Sequence, residues 1–301
     1  MLISAIVLLS ACGASKSLSY QDGGKLRITT TTGMITDAAR EVGGTHVEVT
    51  GLMSAGVDPH LYKASQGDIR KLDEADIIFY NGLHLEGKMN EIFENMAKTK
   101  TTVAVSDSIE RSALRSGSLM KTEYDPHIWF DVQLWMKATE TVRDTLIKQD
   151  PAHAEDYKSN AAAYLKQLEQ LHQEVTKQIL TIPEASRVLV TAHDAFGYFG
   201  DAYHLKVMGL QGISTASEAG TKDVTDLRDF LVNNKIKAVF IESSVPRKAI
   251  DAVIQGAKEK GHEIKIGGEL FSDAMGKEGT PEGTYIGMVR HNVKTIAEAL
   301  K

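Results

Sequence analysis

Short apolar runs alternate with amphipathic stretches along most of this chain. Lys25 to Thr32 alternates in polarity and is β-branched, which predicts a strand. Met34 to Val42 steps as a helix and stops at Gly43-Gly44. His46 to Met53 is a second strand, Ser65 to Ala75 a helix, and Asp76 to Asn81 a nearly all-apolar strand of the kind buried on both faces of a parallel sheet. Met89 to Lys98 (helix), Thr101 to Val105 (strand) and Val132 to Gln149 (helix) continue the β-α order. The stretch 151–182 breaks this rhythm. It has no glycine and only the opening Pro151, and its apolar residues Tyr157, Ala161, Tyr164, Leu165, Leu168, Leu171, Val175 and Ile179 step by three and four. One amphipathic helix of roughly thirty residues, about 45 Å long, is expected there. The alternation then resumes with strands at Arg187–Ala192, Lys206–Leu210, Ala238–Glu242 and Glu263–Ile266. Helices are expected over Phe196–Tyr203, Val224–Asn233, Arg247–Lys260 and Tyr285–Lys301. The fold class is therefore α/β: two lobes, each a mainly parallel sheet flanked by helices, joined by one long rigid helix. The divisions are an N-terminal lobe over 25–150, a linking helix over 151–182 and a C-terminal lobe over 183–301.

The start of the chain does not belong to either lobe. Residues 1–11 form an apolar run that closes on small residues and is too short to span a bilayer. It has the character of a signal peptide. Leu9-Ser10-Ala11-Cys12 resembles the bacterial lipobox, in which the cysteine is lipidated; residues 12–24 then read as a polar tether. Cys12 is the sole cysteine of the 301 residues, so no intramolecular disulfide is possible. The expected location is the outer face of the cell membrane, with a lipid anchor. The net charge of -6, spread without basic runs, argues against nucleic acid as a partner.

The chemistry is carried by a repeated tripeptide. Asp58-Pro59-His60 and Asp125-Pro126-His127 each place an imidazole after a proline, which fixes its own φ and restricts the residue before it. His193 closes an expected strand, and Asp273 lies in a loop after another. Ligands of parallel sheets bind at such strand ends. The four residues follow at steps of 67, 66 and 80, two from each lobe, as a cleft between lobes requires. Three imidazoles and a carboxylate suit a divalent transition metal. Glu242, at another strand end, is placed to orient a ligand histidine from behind. His46, His84, His153, His172, His204, His262 and His291 read as structural, and Trp129 and Phe130 as walls of the cleft.

These motifs, with Thr191-Ala192-His193-Asp194-Ala195-Phe196 and Ser272-Asp273-Ala274-Met275, give the chain a family resemblance. It resembles the metal-binding lipoproteins that serve ABC permeases for manganese, zinc or iron, the cluster A-I solute-binding proteins, over essentially its whole mature length. The stretches 59–68 and 81–88 look most like the Bacillus-type manganese-binding lipoproteins. The resemblance implies two α/β lobes on one long helix, a metal held by His60, His127, His193 and Asp273, and delivery to the membrane subunit of a permease by a monomer that performs no chemistry. Zinc-specific members usually carry a His-rich loop before the second ligand. Residues 106–124 contain no histidine, which points to Mn²⁺, with Zn²⁺ or Fe²⁺ as the alternative. Two other classes, a zinc-dependent hydrolase and an adhesin, lack support. There is no His-Glu-x-x-His, no Gly-x-Ser-x-Gly and no phosphate-binding glycine loop.

Overall fold

The computed structural model describes residues 24–117 and 124–301. The signal-peptide reading, Cys12 and nearly all of the tether lie outside the described residues. The first half is a parallel four-stranded sheet of β1 (Leu26–Thr30), β2 (Val47–Gly51), β3 (Ile77–Tyr80) and β4 (Thr101–Ala104), in the order β2-β1-β3-β4. Ile28 of β1 is in register with Val49 on one side and Ile77 on the other. Helices α1 (Gly33–Gly43), α2 (Gln66–Glu74) and α3 (Asn90–Met96) connect these strands. A parallel pair needs a crossover of this kind, which puts every strand-to-helix loop at the C-terminal end of the sheet.

Two antiparallel helices follow, α4 (Val132–Gln149) and α5 (Ala154–Ile179). The expected helix over 151–182 is shorter by a turn at each end. Pro151 opens a 3-10 turn over Pro151–His153, and Leu180 to Ile182 close in single turns before Pro183, which disfavours helix in the residue preceding it. The remaining 26 residues still run about 39 Å without a break. Tyr157, Ala161, Tyr164, Leu168, Leu171, Val175 and Ile179 form its buried stripe. One core cluster runs along that stripe, from Leu26 and Ile28 of the first sheet to Leu189 and Phe240 of the second half.

The second half has parallel pairs β5 (Val188–His193) with β6 (Lys206–Gln211), and β7 (Ala238–Glu242) with β8 (Lys265–Leu270); β5 and β7 lie side by side. They are covered by α6 (Gly197–Tyr203), α7 (Thr221–Asn233), α8 (Lys248–Glu259) and α9 (Tyr285–Leu300). The strand expected over 263–266 runs instead from Lys265 to Leu270, straight through Gly267-Gly268. The register slips there, with Val239 opposite Ile266 and Phe240 opposite Gly268, so the pair of glycines is a β-bulge and not a strand end. A Cβ on Gly267 would stand 2.7 Å from the Phe240 ring and 2.9 Å from Ala299 of α9. Close packing therefore demands glycine, and the strand continues to within three residues of Asp273.

Candidate metal centre

All four donors named from the sequence meet at one point. His60 lies in the loop between β2 and α2, His127 in the loop between β4 and α4, His193 is the last residue of β5, and Asp273 follows β8. Each is at or beyond the C-terminal end of a parallel strand. One donor atom from each lies within 4.8 Å of every other. The His127 Nε2 is 3.3 Å from that of His60 and 3.4 Å from that of His193. Asp273 Oδ1 is 3.3 Å from His127 Nε2, and Oδ2 is 3.4 Å from His193 Nε2 and 3.8 Å from His60 Nε2. The side chains are sealed: His127 and His193 are 0 % exposed, Asp273 1 % and His60 5 %.

The rings are aimed from behind. In both copies of the tripeptide the aspartate closes an Asx turn: His60 N donates to Asp58 Oδ1 at 2.8 Å, and His127 N to Asp125 Oδ1 at 3.0 Å. Asp125 Oδ1 also accepts from His127 Nδ1 at 2.7 Å. Glu242 does the same for His193, taking its Nδ1–H at 2.6 Å and its backbone N–H at 2.8 Å. With Nδ1 committed, Nε2 turns to the centre in both rings. The sequence singles out Glu242 but not Asp125, whose signal is its fixed place two residues before His127. Trp129 walls the centre as expected. Its ring edge meets His127 with centroids 5.2 Å apart, and its Nε1 donates to Ser272 O at 3.0 Å, tying the His127 loop to the Asp273 loop. Below, Asn81 Nδ2 donates to Pro126 O at 3.0 Å, while buried Glu86 accepts from Asn81 N and Thr31 Oγ1, each at 2.7 Å. His84 parts company with Glu86: it is exposed, left-handed at φ 63°, and meets Asn90. Away from the centre, His46 pairs with Asp156, His153 with Asp150, His172 with Tyr203, His262 with Ile236 O and His291 with Glu269 O.

Both oxygens of Asp273 are buried without a hydrogen-bond partner among the described residues. A buried carboxylate left in that state is costly, and a cation at the centre satisfies it. Burial opposes charge on all four groups. Neighbours outweigh it at three of them: Asp125 and Asp273 hold His127 above the ordinary histidine value, Asp273 and Glu242 do so for His193, and the imidazoles hold Asp273 well below the carboxylate range. Burial pushes His60 down to about 4 against the pull of Asp273. At neutral pH the His127 imidazole, raised to about 10, is therefore protonated in the metal-free chain. A cation bound through its Nε2 would displace that proton, so affinity rises with pH, by about tenfold per unit for each proton released, and falls in acid. Calorimetric titration of Mn²⁺ in buffers of different ionisation enthalpy is expected to show net proton release at pH 7; an enthalpy independent of buffer would contradict it.

Comparison with known proteins places this geometry. Residues 28–299 match the family described as zinc-uptake complex component A, periplasmic. The chain is 51% identical over 300 residues to the manganese-binding lipoprotein MntA of Bacillus subtilis (strain 168), covering 99% of this chain and 96% of that protein. It is 48% identical over 277 residues to the zinc-binding protein TroA of Treponema pallidum (strain Nichols), covering 92% and 89%. The solved periplasmic zinc-binding protein TroA superposes with a TM-score of 0.90 over 92% of this chain and 99% of that one. The iron ABC transporter substrate-binding lipoprotein MtsA of Streptococcus pyogenes serotype M1 is 31% identical over 302 residues, or 98% and 95% of the two chains. These relatives are transport components and not enzymes. The chain belongs to the zinc-uptake complex component A family, the metal-binding, substrate-binding lipoproteins of ABC transporters.

Proposed function

We propose that this protein captures Mn²⁺ outside the cytoplasmic membrane, held there by lipid on Cys12, and passes it to the membrane subunit of an ABC permease. His60, His127 and His193 donate through Nε2 and Asp273 through its carboxylate, with Asp125 and Glu242 orienting two of the rings. The observation that carries the choice of metal is Asp273: both of its oxygens face the imidazoles and neither has another partner among the described residues. A bidentate carboxylate with three imidazoles offers five donor atoms, more than a tetrahedral Zn²⁺ site takes. The manganese-binding relative at 51% identity and the histidine-free stretch 106–124 point the same way. One chain supplies all the donors, so a monomer suffices.

Zinc is the second reading, favoured by the zinc-binding relative at 48% identity and by the general preference of N/O sites for Zn²⁺ over Mn²⁺. The test is elemental analysis of protein purified from its native membranes without added metal, alongside a Cys12→Ser form. About one manganese per chain is expected, together with release of the Cys12→Ser form from the membrane fraction. Zinc at that stoichiometry after growth with manganese in excess would install the second reading, and a chain without metal would overturn the donor assignment.

A further inference from the structure

We infer that Thr215 is a positioning residue for the first metal donor, acting through Asp58 as a latch that crosses between the lobes. Asp58 Oδ1 holds the backbone N–H of His60 at 2.8 Å. Its second oxygen, Oδ2, accepts from Thr215 Oγ1 at 2.6 Å. Thr215 belongs to the loop between β6 and α7 of the other half and stands 157 residues further along the chain. It is buried although its neighbours Ser214 and Ala216 are exposed. The loop has its own anchor: Gln211 Nε2 donates to Thr215 O and to Ser217 O, both at 2.8 Å. Gln211 ends β6 and is paired with His193 at the end of β5, and its carbonyl accepts from Asp194 N at 3.0 Å. One chain of bonds thus runs from the strand that carries His193, through Gln211, Thr215 and Asp58, to the loop that carries His60.

The other donors do not depend on this chain. His127 is clamped by Asp125, and its loop is tied to the second half by Trp129 Nε1 on Ser272 O and by Tyr285 Oη on Trp129 O at 2.7 Å. His193 is clamped by Glu242 on the neighbouring strand. His60 follows an Asx turn whose aspartate is fixed across the gap by the Thr215 hydroxyl. Loss of that hydroxyl frees the His60 loop and leaves three donors in place, so a bound ion leaves faster while the empty protein is barely altered. A partner that pulled the 212–220 loop would release cargo by the same route.

The inference rests on the four residues being the cargo's donors, and the experiment separates the two. Metal-loaded protein is mixed by stopped flow with excess chelator, and Mn²⁺ dissociation is followed for the wild type, Thr215→Val and Thr215→Ser. Thr215→Val keeps the branched shape and removes only the hydroxyl. It is expected to dissociate about 10- to 100-fold faster, the range for losing an outer partner of a metal ligand, with the metal-free melting temperature unchanged. Thr215→Ser restores the wild-type rate, and adding Asp58→Asn to Thr215→Val gives little further acceleration, because both act on one chain of bonds. A wild-type rate in Thr215→Val, or a loss of melting temperature without faster dissociation, would overturn the latch alone. A wild type that binds no Mn²⁺, Zn²⁺ or Fe²⁺ would overturn the donor assignment and the latch with it.

Discussion

Asp273→Ala lowers divalent-metal affinity by about a hundred- to a thousandfold or more, and weakens the metal-free fold as well. Asp273 is the one anionic member of the proposed donor set. Without it a doubly charged ion sits among three neutral imidazoles in a site closed to water, and leaving a buried charge uncompensated costs about 3–5 kcal/mol. The metal-free protein is weakened too. It loses the carboxylate that pairs with the His127 imidazole at 3.3 Å and the His193 imidazole at 3.4 Å, and removing one partner of a buried ion pair is destabilising. The measurement is competition against a chelator of known affinity, paired with thermal melting with and without metal. The variant is expected to melt lower than wild type when empty and to lose the metal-induced rise. Asp273→Asn, which keeps the shape and one oxygen, falls between the two. An affinity within about threefold of wild type for Asp273→Ala would remove the residue from the donor set.

Trp129→Ala has the largest expected effect on the fold. The indole is wholly buried, and truncating a buried Trp costs about 3–5 kcal/mol through lost burial and the cavity left behind. It also carries the hydrogen bond from Nε1 to Ser272 O, next to Asp273. Urea unfolding of the metal-free variant is expected to show a lower midpoint with an unchanged slope. Trp129→Phe divides the effect: it keeps much of the ring packing and loses the hydrogen bond, worth about 1 kcal/mol. Its metal affinity is expected to drop further than its stability, because the Asp273 loop is no longer pinned to the His127 loop. If Trp129→Ala cost less than about 1 kcal/mol, the indole would not be the joint described here.

The parts of this protein that were legible in its sequence are those with short-range causes. Ile77-Ile78-Phe79 reads as a strand buried on both faces because every residue is apolar, and it is one of the two inner strands of the first sheet. The stripe from Tyr157 to Ile179 reads as one helix because nothing interrupts its period. His60, His127, His193 and Asp273 stand out because strand ends and a repeated tripeptide mark them. Gly267-Gly268 was misleading, since a glycine pair ends a strand in most settings; only the Phe240 ring and Ala299 show why glycine is needed mid-strand. The two Asp-Pro-His copies look alike in sequence yet end differently. Asp125 spends Oδ1 on its own histidine ring, whereas Asp58 spends Oδ2 on Thr215. No local rule reveals a partner 157 residues away. Glu242 was legible as a strand-end carboxylate, but its pairing with His193 depends on β5 lying beside β7, which the chain order alone does not state.

The unbroken stripe on α5 has a consequence for modularity. A two-lobed protein invites division into separately folding halves, yet the main core here is common property: Tyr157 and Leu168 belong to the same cluster as Ile28 on one side and Phe240 on the other. A chain cut anywhere along α5 would leave each fragment with part of an apolar seam facing water, prone to self-association. The lobes are a description of the sheets, and the smallest unit that can be exchanged or inherited intact is the whole binding protein.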